Sequence, residues 1–218
     1  MLKTVPNLYR IKVLISLRIE KTVKILMMIF ETIITTQDLA DTPHVTPFGV
    51  RYEGDLLVIS PYKPSTTLDN ILATKYAVMN MTDDVRVFAA SLTNRKVGEL
   101  VEANKIKGFR LINCLAHVEL ELIEVRDDAT RPQLIMQKMA EFNHKPFTGF
   151  NRAQAAVIEL AVLVSRLHLL PKDKIMSEIE YLKIAIDKTA GEREIQAWAW
   201  LTEAIENFYA DQSGSNQA

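Results

Sequence analysis

The sequence predicts an α+β protein, with an antiparallel, β-rich body, one short inserted helix, and a three-helix unit at the C-terminal end. Three observations lead there. Up to about Lys145 the apolar residues recur mostly with the period of two that strands require, as in HVELELIEV at residues 117–125. The links between the first strands are too short for helical crossovers, so neighbouring strands run antiparallel. Beyond Lys145 the period changes to that of helices, and Pro171 and Gly191 punctuate it.

The first strand is FETIITT at residues 30–36, rich in β-branched side chains. HVTPFGVRY at 44–52 follows through the polar link QDLADTP. EGD at 53–55 is a turn in which Gly54 can take a positive φ, and LLVISP is the third strand. STTLDNILATK then reads as a helix with Leu68, Ile71 and Leu72 on one face, and YAVMNM at 76–81 returns to strand. DDVRVFAASL at 83–92 is compatible with a short strand or a mixture of strand and helix. The polar segment 93–107 reads as loop or short helix. HVELELIEV and PQLIMQKMAEF (132–142) form a hairpin joined by RDDATR. Asn151 is placed to cap a helix that is apolar almost all round from Ala155 to Leu170, interrupted by Glu159 and Arg166. Such a helix is buried on several sides, within the chain or between chains. Pro171 opens a second helix striped by Ile175, Ile179, Leu182 and Ile186. Gly191 separates it from a third, EREIQAWAWLTEAIENFY. The expected organisation is an N-terminal extension at 1–26, the β-rich body at 27–147, the helical unit at 148–210, and a disordered tail at 211–218.

Composition narrows the function classes. The 218 residues carry 26 Lys or Arg against 27 Asp or Glu, a balance that gives no reason to expect a nucleic-acid partner. The single cysteine, Cys114, excludes an internal disulfide and zinc sites built on several thiolates, and it fits a reducing cytoplasm. Residues 1–26 hold six Lys or Arg and one Glu. Arg18, Glu20, Lys21 and Lys24 break the apolar run, so neither an export signal nor stable membrane insertion is expected. Three readings of this segment stand: an amphipathic arm, an edge strand with a tail, or an upstream extension with Met27 or Met28 as the real start.

The usual chemical signatures are missing. There is no GxGxxG, no Walker-type loop, no HExxH and no GxSxG. His44, His117, His144 and His168 lie far apart in sequence and read as structural or surface histidines, so no metal site is expected. Asp83 and Asp84 read as a solvated turn or helix start rather than as acid–base or metal groups. What remains is PYKPSTTLDNI. A helix N-terminus presents unpaired amides and a partial positive charge, the hydroxyls of Ser65, Thr66 and Thr67 add donors, and Lys63 adds full charge. Arg51, ending the second strand, is a further candidate. Together they describe a phosphate site without a Gly-rich loop; the plain reading is that Ser65 or Thr66 only caps the helix. Arg152, at the start of the helix capped by Asn151, opposes the helix dipole. Asn151 and Arg152 are therefore a further candidate pair, reading equally as an anion contact, to phosphate or substrate, or as a cap and half of a salt bridge.

A strand, then S-T-T, a short helix and the strand AVMN in that order resemble the FMN-binding split barrels of the flavin-reductase-like superfamily. FETIITT, VTPFGVRYEGD, PYKPSTTLDNI, AVMNMTDDV, HVELELIEV and KPFTGFNRAQAAVIELAVLVSRLHLLP together resemble one family within it. That family is an uncharacterised prokaryotic domain of unknown function with an FMN-binding split barrel and a C-terminal helical unit, and some of its members accompany tetrahydromethanopterin-linked one-carbon genes. The resemblance runs from about Ile29 to about Tyr209. It implies an antiparallel split β-barrel that forms a homodimer, with FMN in a groove between subunits and NADH or NADPH as candidate reductant. It assigns the flavin phosphate to Lys63, Ser65, Thr66 and Thr67. It puts Thr35, Thr36, Pro47, Phe48, Gly49 and Val50 near the ribityl chain or ring. It also gives Asn80, Thr82 and Asp83 hydrogen bonds to the flavin. Many relatives carry Arg or Lys where this chain has Thr66, and Lys63 is the candidate substitute charge. Such proteins are oxidases, reductases or non-catalytic flavin or haem binders, so the implied function is an FMN-binding flavoprotein, an oxidoreductase of unknown substrate or a flavin carrier or sensor. An interaction module with an empty or pterin-binding cleft is the remaining alternative.

Overall fold

Strands β1 (Ile29–Gln37), β2 (Pro43–Glu53) and β3 (Leu56–Ile59) follow one another as antiparallel hairpins in the computed structural model, which describes residues 28–96 and 98–215. Helix α1 (Thr66–Thr74) leads into β4 (Tyr76–Met81) and helix α2 (Arg86–Leu92). A small hairpin, β5 (Leu100–Glu102) and β6 (Phe109–Leu111), precedes the long hairpin β7 (Ala116–Arg126) and β8 (Gln133–Asn143). The six long strands close into an antiparallel barrel in the order β1-β2-β3-β8-β7-β4. Closure happens at β1, which pairs on both edges: Ile33 lies opposite Pro47 of β2 and opposite Asn80 of β4.

Strand alternation sorts the side chains into two cores. Ile34, Val50, Ile59, Met79, Leu120 and Met136 point into the barrel. Leu68 and Ile71 of α1 enter the same cluster, so this helix plugs the barrel, while Leu72 of the expected face stays exposed. Ile33, one residue from Ile34, points outward into a second core made with α2 and the C-terminal helices. Those are α3 (Arg152–Val164), α4 (Lys172–Thr189) and α5 (Glu192–Ser215). Ala153, Ala156, Val157, Leu160 and Ala161 of α3 are buried among them, and the alanines let the helix axes approach closely. Each large apolar side chain buried in either core stabilises the fold by about 1.5–3 kcal/mol.

Four elements differ from expectation. Residues 86–92 are helical, because both edges of β4 are already taken by β1 and β7, leaving a further strand no partner. The segment 93–107 contributes strand β5, stabilised by pairing with β6 rather than by local preference. Helix α3 stops at Val164 and the chain turns through Leu170. Helix α5 continues through Ser215, past Asp211, where the tail was expected to begin. The three readings of residues 1–26 and the last residues of the tail, 216–218, lie outside the described residues.

Candidate functional site

Ser65 is the N-cap of α1. Its backbone is extended, and its Oγ accepts from the Leu68 amide at 3.3 Å. That leaves the amides of Thr66 and Thr67 ahead of the first intrahelical bond, the position at which helices receive anions. Lys63 Nζ donates to Asp127 Oδ1 at 3.0 Å and to the Asp128 carbonyl at 2.9 Å, an exposed pairing in the β7–β8 turn.

Arg51 is differently placed. Its Nη2 donates to Glu53 and to Gln133, each at 2.9 Å, yet its buried Nε has no hydrogen-bond partner. A buried unpaired donor is costly and calls for an explanation. Arg51 lines a cavity of about 150 Å³ with Ile29, Gly49, Ser60, Arg131 and Gln133. Arg131 is held there by donating Nε to the Ser60 carbonyl at 3.0 Å and by stacking over Tyr62 at 4.7 Å. From Ser60 the chain runs through Tyr62 and Lys63 to the Ser65 cap. Gly49 keeps the backbone close on the other wall: a Cβ there would sit 2.7 Å from Ile29 Cγ2. Two guanidiniums, one with an unused N–H, form a donor set suited to a phosphate or carboxylate.

The residues expected near the ribityl chain or ring fall on both faces of their strands. Thr36, Phe48 and Val50 turn inward; Val50 is fully buried in the barrel, and Thr36 accepts from Asn70 Nδ2 at 3.1 Å. Pro47 and Gly49 alternate to the outside. Thr35 and Asn80 are buried in a polar clamp. Asn80 Nδ2 donates to the Ile33 carbonyl and to Thr35 Oγ1, and its Oδ1 accepts from the Leu111 amide at 2.8 Å. Thr35 in turn bonds the Phe109 carbonyl. These bonds tie β1, β4 and β6 together. Thr82 Oγ1 accepts from the Asp84 amide, a local turn next to Asp83. Asp84 grips the Arg86 guanidinium at 2.8 and 2.6 Å at the start of α2, in line with the helix-start reading of the acidic pair.

Asn151 caps α3 as expected, accepting from Ala153 and Gln154 and donating to the Thr189 carbonyl. Arg152 is exposed and forms no ion pair among the described residues. It lies in the helical unit, apart from the cavity at Arg51. A second, larger cavity of about 390 Å³ lies between the start of β2, α2 and β5, lined by His44, Ser91, Arg95 and Lys96 among others. Burial there pushes the His44 imidazole below its ordinary pKa.

Residues 30–144 match the family model for the DUF447 N-terminal domain, described as a protein of unknown function, and residues 151–203 match the model for the DUF447 C-terminal part, described likewise. The chain is a DUF447 protein. Its fold is also that of an FMN-bound DUF447 protein from Methanosarcina mazei, at 24% identity and a TM-score of 0.70 over 81% of this chain and 94% of the other. More distant are a putative flavin reductase with a split barrel domain from Shewanella frigidimarina (15% identity, TM-score 0.48, 57% of this chain and 74% of the other). Flavoredoxin from Desulfovibrio vulgaris matches at 16% identity and a TM-score of 0.44, over 52% of this chain and 69% of the other. No curated protein matches the sequence.

Reading the DUF447 sequence alone missed Arg131, Ser60 and Gln133, which reach the cavity only because β3 pairs with β8. It also missed a cluster on the far wall. The register of β7 on β8 brings His117 Nδ1 to 2.8 Å from His144 Nε2, with Cys114 beside them. Distance along the chain hid this pair, although the Cys-x-x-His spacing of Cys114 and His117 was legible.

Proposed function

We propose that this DUF447 protein binds FMN, with the phosphate held between the α1 N-terminus and the Arg51–Arg131 cavity, and that it acts as an oxidoreductase of the flavin-reductase-like type. The unpaired, buried Nε of Arg51, a residue that lines the cavity, carries the reading: it is a donor without a partner of its own. The amides of Thr66 and Thr67, the hydroxyls of Ser65 and Thr67, and Arg131 complete an anion-binding donor set that fits a phosphate monoester. A cavity of about 150 Å³ takes a phosphate and the start of a ribityl chain, not a whole flavin. The ring would therefore extend over the outer face of β1 and β2, where Gly49 keeps the surface low, and a second copy of the chain would cover it. FMN would supply hydride chemistry; the chain's own residues bind, orient and shield it. NADH or NADPH is the proposed reductant and a reducing cytoplasm the proposed setting, consistent with the free, buried Cys114.

The test is an absorbance spectrum of the purified protein after FMN has been added and the excess removed by gel filtration. A retained flavin band supports binding, and bleaching by NADH or NADPH without oxygen supports turnover. Replacing Ser65 and Thr67 together by Ala is expected to weaken FMN by about 1–3 kcal/mol while leaving riboflavin nearly unaffected. Equal losses for both ligands would remove the phosphate from this loop. Sedimentation of the FMN-loaded protein as a monomer would remove the second copy from the site.

A further inference from the structure

Glu119 and His117 are fully buried on β7, on the outer wall of the barrel beneath the β5–β6 hairpin. The Glu119 carboxylate accepts from the backbone amides of Asn104, Lys105 and Ile106, so its position is fixed by main chain. It also faces His117 Nε2 at 3.1 Å. A carboxylate so bonded is an acceptor only, so Nε2 carries the proton and Nδ1 presents a bare lone pair. That lone pair faces His144 Nε2 at 2.8 Å, the two rings being within 1° of parallel. Two imidazole nitrogens so close need a proton or a cation between them. Cys114 Sγ is the third atom: the three ligand atoms lie within 4.8 Å of one another.

We propose that Cys114, His117 and His144 form a transition-metal site, most suited to Zn2+, with Glu119 as the carboxylate that orients His117. The Cys114 thiol donates to the Leu111 carbonyl at 3.1 Å when no ion is bound, and one thiolate with two imidazoles is a borderline-soft set that Zn2+ accepts. The carboxylate–histidine–metal chain is the arrangement that fixes the tautomer and raises the basicity of a ligating imidazole. Bond lengths of about 2.0–2.1 Å to nitrogen and about 2.3 Å to sulfur require the two nitrogens to part by roughly 0.5 Å and the sulfur to move in. Exposed His144, just past the end of β8, and Cys114, in the turn between β6 and β7, are placed to make those moves. On binding, the thiol proton goes to solvent. The thiolate and the Glu119 carboxylate then match the two charges of the ion. Arg110 and Lys145 also bring positive charge near the cluster, which the ligand set must outweigh. Three protein ligands leave a fourth position, on the solvent side of His144, for water or a substrate oxygen.

The inference is independent of the flavin reading. The probe is Co2+, added to the full chain, free of any histidine tag and stripped with a chelator, followed by gel filtration and metal analysis. The expected result is about one Co2+ per chain, with tetrahedral d–d absorption and a thiolate-to-cobalt charge-transfer band, both displaced by Zn2+. Cys114→Ser is expected to abolish the charge-transfer band. Exposed His144→Ala is expected to weaken binding about tenfold or more, Glu119→Gln by about 10–100-fold, and His168→Ala not at all. No retained Co2+ or Zn2+, an octahedral spectrum lacking the thiolate band, or binding indifferent to both Cys114→Ser and His144→Ala would overturn the proposal.

Discussion

Arg51 and Asn80 are both polar residues on barrel strands, and both stood in the sequence as ligand contacts. Their surroundings separate them. Asn80 is fully buried with its amide bonded to Ile33, Thr35 and Leu111, so it behaves as part of the wall. Arg51 spends Nη2 on Glu53 and Gln133 and Nη1 on Ser60, and keeps a buried Nε without a partner. Residue type does not tell a structural polar group from a binding one; the number of hydrogen bonds left unmade does. A saturated buried network rigidifies a fold, while an unsatisfied donor is tolerated where a ligand completes it.

The largest expected effect breaks the wall side of this comparison. Asn80→Ala leaves the Leu111 amide and neighbouring acceptors unpaired, and is expected to cost about 2–3 kcal/mol in urea unfolding. FMN affinity of the folded protein should stay within a factor of two; a large loss would bring Asn80 into the site. Next comes Arg51→Ala. It is expected to weaken FMN by roughly 10–100-fold, the value of a hydrogen bond to a charged group, with a smaller shift in unfolding midpoint than Asn80→Ala. Riboflavin titration separates phosphate from ring effects.

Ser65→Ala sharpens the comparison, because Ser65 stands on both sides of it. As an N-cap its loss is expected to cost about 1 kcal/mol of stability, read by denaturant unfolding, and Ser65→Gly only a few tenths. If FMN affinity falls more for Ala than for Gly in step with stability, the hydroxyl acts as a cap alone. The smallest effect concerns Asp84. Burial would raise its carboxyl, but the hydrogen bond and charge of Arg86 outweigh it and hold it below the ordinary 3.8. A depressed carboxylate contributes stability that is complete above its unfolded value and fades as pH falls through the folded one. Asp84→Asn is therefore expected to destabilise by about 1 kcal/mol or less near neutrality, with the gap from the parent protein closing below about pH 4 in pH-dependent thermal unfolding.

Much of this molecule was legible locally. β-Branched content located β1, period-two alternation located β7, and the turn RDDATR located β8 as its hairpin partner. Asn151 announced the start of α3, and the S-T-T segment located the cap of α1, since alternation and capping depend on a few adjacent residues. Residues 86–92 defeated that reading because Val87, Phe88 and Ala89 suit either period, and the choice of helix came from the lack of a free strand edge and from packing against α3 and α5. The site was half legible. Ser65, Thr66, Thr67, Lys63 and Arg51 were visible as donor types, but the pairing of Lys63 with Asp127 followed from the β7–β8 turn coming up beside it.

By itself, then, the sequence determined the antiparallel body, the helical C-terminal unit, and a helix start rich in hydroxyls, because period, turn residues and caps are short-range. Only the tertiary structure decided which face each strand residue takes, that Arg131 joins Arg51, and that His144 meets His117 across the β7–β8 ladder. Those outcomes depend on barrel closure and register, which bring together residues far apart in the chain and are fixed by the whole set of strand pairings at once.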